Sequence, residues 1–172
     1  MEKKESRLEF FKNAIISTVK SISKKKDCEV KFGKSTNQMN NEKFVNLPEI
    51  DKLENINDFI LLRAKADSEA LRLKYSNKNV FENHKPKGEI SQKLYQIAEK
   101  IRYEKIGSED FTGIKKNLLI QYKQDQLKLK SSKNKLEVSF ENYLKSFFFD
   151  IKEPKKSRVN FAKKFKQNLN FL

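Results

Sequence analysis

Asp67 is the one carboxylate in this chain whose setting suggests more than a solvated charge. It lies in RAKADSEALRLKY, Arg63 to Tyr75. At about 100° per residue, Phe59, Leu62, Ala66, Ala70 and Leu73 share one stripe of a helix, and Ile60, Ala64, Leu71 and Tyr75 share a second. Arg63, Asp67 and Lys74 fall between the stripes, which leaves Leu61, Lys65, Ser68, Glu69 and Arg72 to face water. A helix apolar on two sides belongs at the centre of its domain, and this one carries a carboxylate into half-buried surroundings. Two roles fit Asp67. It is a buried tie to Arg63, Lys74 or a neighbouring backbone N–H that fixes helix packing, or it is a contact to a partner. Catalysis would need a second reacting group nearby, and the sequence offers none.

The other chemically capable residues read as structural. The chain has no GxxxxGK phosphate loop, no GxGxxG, no HExxH and no paired cysteines. His84 is the single histidine, beside Lys85 and Pro86 in a polar stretch, and is expected to be an exposed loop residue rather than a zinc ligand. Cys28 is alone, so no intrachain disulfide forms, as suits a reducing cytoplasm. Glu109 and Asp110 read as helix-start charges. No catalytic, cofactor-binding or metal-binding residue is assigned.

The elements that must position Asp67 are mostly helical. Leu8, Phe11, Ile15, Val19 and Ile22 recur at helical spacing, and Lys24, Lys25 and Lys26 close that first helix. CEVKFG and KFVNLP, within residues 28–48, predict a small irregular β-hairpin lying on the helices. The central helix follows, with Asn57 or Asp58 as N-cap. SNKNVFENHKPKG then reads as a loop. A further helix is expected from about Glu89 to Ile106, stopped by Gly107. Ser108 or Asp110 caps the next, whose face is Phe111, Ile114, Leu118 and Gln121 or Tyr122. Gly113 inside that helix predicts a close backbone approach, since glycine there costs about 1 kcal/mol relative to alanine. After KSSKNK come two Phe-rich helices. Leu136, Phe140, Tyr143 or Leu144, Phe147 and Ile151 line one, and Ala162, Phe165, Leu169 and Leu172 the other, with Pro154 between. These cover an open face of the domain or form a docking stripe. The expected fold is mainly α, a bundle-like domain of about six helices with one small hairpin. Residues 1–129 form the domain, and 130–172 a basic Phe-rich appendage.

With a formal net charge of +15, the chain invites a nucleic-acid reading. Two features weigh against it. The 38 basic residues comprise 33 Lys and only 5 Arg, whereas base and phosphate recognition favours the Arg fork. The charge also sits at the ends: residues 1–26 carry +5, residues 130–172 carry +7, and the longer middle only +3. A solvated surface or an acidic protein partner accounts for it better. No targeting segment or membrane span is visible.

Taken in order, the segments resemble the N-terminal region of the CobT subunit of aerobic, ATP-dependent cobaltochelatase. The resemblance rests on FFKNAIISTVKSIS, CEVKFG, Leu47-Pro48 and the pattern R-x-x-A-D-x-x-A-L-R-L-x-Y, met by Arg63, Ala66, Asp67, Ala70, Leu71, Arg72, Leu73 and Tyr75. IRYEKIG and GIKKNL, with Gly113 and Asn117, complete it. It spans about residues 8–125. The resemblance implies a cytoplasmic, non-catalytic subunit of a multisubunit ligase that forms nitrogen–metal bonds in cobalamin (vitamin B12) biosynthesis. Such a subunit assembles with an AAA+ ATPase and with a large tetrapyrrole-binding subunit, and supports cobalt insertion into hydrogenobyrinic acid a,c-diamide. ATP, magnesium and cobalt are then used by the complex and not bound by this chain. Members of the family continue through an acidic linker to a von Willebrand factor A domain with D-x-S-x-S, a motif missing here. The chain is therefore expected to be an N-terminal fragment, a partial gene product or a short homologue. The alternatives are a small basic nucleic-acid-binding helical protein and, more remotely, an independent enzyme.

Overall fold

The helix from Ile56 to Tyr75 (α2) is the element on which the rest assemble. A computed structural model describes residues 2–33, 43–50, 56–128 and 136–151. Before α2 come α1 (Glu2–Ser23), β1 (Glu29–Phe32) and β2 (Phe44–Leu47). After it come α3 (Lys78–Asn83), α4 (Glu89–Asp110), α5 (Thr112–Lys128) and α6 (Leu136–Phe149). The described chain is thus mainly helical, with six helices and one small β element, as the periodicity predicts.

The two stripes of α2 face two separate apolar clusters. Leu62, Ala66, Ala70 and Leu73 pack with Ile15 and Val19 of α1 and with Cys28, Val45 and Leu47 around the strands. Phe11 meets Phe59 edge-on, with ring centroids 4.6 Å apart. On the other side Leu71 joins Ile101 and Tyr103 of α4, Ile114, Leu118 and Tyr122 of α5, and Phe149 and Ile151. Ala64, Ala66 and Ala70 are fully buried, and their small side chains let neighbouring backbones come close.

Several expectations are corrected. The strands do not form a hairpin: β1 and β2 run parallel, with Glu29 opposite Phe44 and Phe32 opposite Leu47. A two-residue turn can only return a chain antiparallel, whereas the longer connection over residues 33–43 allows the second strand to start again from the same end. The segment after Tyr75 is not all loop, because Asn77 caps α3, its side chain accepting from the backbone N–H groups of Asn79 and Val80. Phe81 stacks on Tyr95 and so docks this short helix on α4. His84, exposed as expected, follows as the C-cap.

The third and fourth corrections concern glycines. Helix α4 continues through Gly107 to Asp110, and Ser108 is buried inside it rather than capping the next helix. A Cβ at Gly107 would lie 2.1 Å from Leu71 Cδ2, so this is where helix and helix make the close approach. Gly113, where the approach was expected, has open space beside it. Helix α2 also begins at Ile56, which places Asn57 and Asp58 within its first turn. On α6 the buried positions are Lys145 and Phe149, while Leu136 and Phe147 of the expected stripe are exposed. The last expected helix, around Ala162 to Leu172, lies outside the described residues.

Candidate functional site

The polar residues of α2 that a two-stripe helix leaves over are gathered into three ties. Asp67 is wholly buried, and both its oxygens are used. Arg63 Nε donates to Oδ1 at 2.8 Å, and Asn117 Nδ2, from α5, donates to Oδ2 at 2.8 Å. Burial pushes the Asp67 carboxyl up, while the Asn117 amide and the Arg63 guanidinium pull it part of the way back. Lys74, the other proposed partner, turns away to Asp110 at 3.8 Å and lies over the rings of Phe111 and Tyr75. Asn117 is a partner from outside the helix that the cations of α2 alone do not suggest. The sequence does carry both halves of this tie, but nothing in it says that positions 50 residues apart meet.

The second tie runs through Ser68, which was expected to face water. Ser68 Oγ donates to Glu104 Oε1 at 2.6 Å, and the Tyr122 hydroxyl donates to the other oxygen. All three groups are buried. Burial and the adjacent Glu104 charge push the Tyr122 phenol far above its ordinary range. Next to this tie, the Lys145 ammonium sits over the Tyr122 ring and 2.8 Å from Glu141 Oε1. Burial alone would push the Glu141 carboxyl up, but Lys100 and Lys145 hold it below its usual range.

The third tie fixes the strands and the C-terminal end of α2. Arg72 Nε donates to Glu69 at 2.8 Å, and its Nη2 reaches the Phe44 carbonyl of β2 at 3.2 Å. Three residues beyond Arg72, the Tyr75 hydroxyl bonds Asp110. The Tyr75 carbonyl accepts from Arg102 Nη2 at 2.7 Å, a cation on the end of the helix dipole. Of the residues in the RxxADxxALRLxY pattern, Ala66, Ala70, Leu71 and Leu73 thus pack, Asp67, Arg72 and Tyr75 join α2 to α5, β2 and α4, and Arg63 holds Asp67 from within α2. A Cβ at Gly113 would meet nothing within 4 Å, whereas Asn117, one helical turn on, bonds Asp67.

Beside these ties lies a groove of about 690 Å³ that the sequence did not disclose, since its walls come from residues 25 to 103. Its floor is the Lys65, Ser68, Glu69 and Arg72 face of α2, one wall is β2, the other is α4, and α3 closes one end. Among the described residues no three His, Cys, Asp or Glu side chains gather as a metal site. No described helix is long and apolar enough to cross a membrane.

Fold and interior together define a small helical packing domain with a pinned central helix and a groove beside it. No solved structure matches the chain. The family profile of cobalamin biosynthesis protein CobT matches residues 5–144, which contain all three ties. The chain belongs to the CobT family, and its role lies in cobalamin biosynthesis as a component of cobaltochelatase. The match runs past Leu129, where the visible sequence resemblance fades, and takes in most of α6.

Proposed function

We propose that this chain is the assembly subunit of ATP-dependent cobaltochelatase: it joins the AAA+ ATPase subunit and supports cobalt insertion into hydrogenobyrinic acid a,c-diamide by the large tetrapyrrole-binding subunit. Cobalt is cargo of the complex, ATP is turned over by the AAA+ partner, and the work takes place in the cytoplasm. The observation that carries this reading is the family match over residues 5–144, which takes in α2 and its three ties. The interior supports it, because the conspicuous carboxylates Asp67 and Glu104 are tied to α5 and α2 rather than aimed at a substrate. A domain of this kind contributes shape. It presents surfaces in a fixed arrangement while partners perform the chemistry.

The test is co-expression with the AAA+ ATPase encoded alongside. The expected result is a complex that survives size-exclusion chromatography and an ATP turnover altered by at least about twofold on adding this chain. Separate elution together with unchanged turnover would overturn the proposal.

A further inference from the structure

The sheet has only two strands, so among the described residues β2 has an unpaired edge. In the parallel ladder the Lys43 carbonyl accepts from Glu29 at 2.8 Å and the Leu47 carbonyl accepts from Gly33 at 3.0 Å. Backbone groups alternate sides along a strand, so Lys43, Val45 and Leu47 bond toward β1 while Phe44 and Asn46 turn to the free edge. Both Phe44 and Asn46 line the groove. Arg72 takes the Phe44 carbonyl, and among the described residues the N–H of Phe44 and the N–H and carbonyl of Asn46 have no partner. A free strand edge is a template for an added strand.

The floor gives the length and the charge of what would fit. From Lys65 to Ser76, α2 rises about 16 Å, the length of about five extended residues. The lining includes Lys25, Lys65, Arg72, Lys78 and Lys100 with Glu69 and Glu82, and of these cations Lys65 and Arg72 share Glu69 while Lys100 pairs with Glu141. Lys78 is exposed and makes no ion pair among the described residues. Phe81, half-buried, supplies apolar surface beside the cations, while Leu73 and Tyr103 reach the lining only at their edges.

We propose that this groove binds an extended acidic segment of a partner protein as a third strand on β2, with acidic side chains toward Lys78 and the cationic rim and alternate apolar side chains toward Phe81. Main-chain bonds to Phe44 and Asn46 give affinity, and the cationic lining selects sequence. The inference stands whichever complex supplies the segment.

The experiment is fluorescence anisotropy of the full chain with the fluorescein-labelled peptide Glu-Val-Glu-Val-Glu-Val-amide. Saturable binding is expected. Lys-Val-Lys-Val-Lys-Val-amide should bind at least about tenfold more weakly, as should the acidic peptide N-methylated at alternate residues. Asn46→Pro removes one outward N–H without touching the β1 ladder, and Lys78→Glu reverses a groove charge. Each should weaken binding about tenfold with the circular dichroism spectrum unchanged. If Asn46→Pro disturbs folding, the N-methylated peptide on the unaltered chain still decides the matter. No saturation up to about 1 mM would overturn the proposal. Equal binding of the N-methylated peptide would also overturn it, since the groove would then recognise charge and not a strand.

Discussion

Asn117→Ala should cost about 2–3 kcal/mol of folding stability, although the side chain it removes is a surface-type amide on a helix. The magnitude follows from what it leaves behind. Asp67 is fully buried, and Asn117 is the sole donor to its Oδ2 among the described residues. A hydrogen bond to a charged group contributes about 1.5–3 kcal/mol, and an orphaned buried acceptor costs about 1–3 kcal/mol. These describe the same loss and are not summed. For a chain of this length the melting temperature should fall by roughly 5–10 °C. The pH dependence supplies a second readout. With Asp67 raised by burial, the native state holds its proton more tightly than the unfolded chain does, so this group's contribution is most favourable in acid and declines as pH rises through the folded pKa. Removing Asn117 removes a lowering influence and pushes the carboxyl higher still. The deficit of the variant should therefore grow between about pH 4 and about pH 8. The chain has no Trp, so urea titrations would be followed by far-ultraviolet circular dichroism. A loss below about 0.5 kcal/mol at both pH values would refute the reasoning, because it would mean that water reaches Oδ2.

Two further outcomes follow from the same interior. Gly107→Ala should destabilise by about 1–3 kcal/mol, because its Cβ would stand 2.1 Å from Leu71 Cδ2 in a packed interface. Gly113→Ala, in open space inside α5, should stabilise by about 0.5–1 kcal/mol, so chemical denaturation of the pair should give opposite signs. Glu141→Gln removes the nearest carboxylate from the buried Lys145 and should cost about 3 kcal/mol at neutral pH. Since the Glu141 carboxyl is held low, its contribution is present above the unfolded pKa and lost as pH falls through the folded one. Thermal melts of the variant should accordingly show a flatter acid limb than those of the unaltered chain.

The two-sided character of α2 was legible because hydrophobic spacing is a local property, and each stripe found its own cluster. What spacing cannot show is where the polar remainder goes. Ser68, Glu69 and Arg72 sit on the face left for water, yet Ser68 is buried against Glu104, and Arg72 reaches β2. The reason is that a polar side chain reads alike whether its partner is water or a group from another helix. The glycines mislead in a related way. Gly107 looked like a helix stop and Gly113 like a contact, but a glycine's reason lies in what stands opposite it, and only the fold puts Leu71 there. Strand direction was hidden too, because alternation marks a strand and says nothing of which way its neighbour runs.

Apolar contacts are non-directional, and a helix buried on two sides is poorly fixed about its own axis by them alone. In α2, half of the buried apolar positions are small: Ala64, Ala66 and Ala70 resist rotation weakly. Directional bonds do what the apolar surface does not. Asp67 to Asn117 faces α5, Ser68 to Glu104 faces α4, and Arg72 to the Phe44 carbonyl faces β2, three neighbours in three directions. Turning α2 by one residue would break all three at once and leave two buried carboxylates without full partners, at a cost of several kcal/mol. The same rotation is what sets Arg72 and Lys65 on the floor of the groove beside the open edge of β2. Polar groups within the interior therefore determine the surface that the domain presents, and a substitution at Asp67 or Glu104 acts on that surface without lying in it.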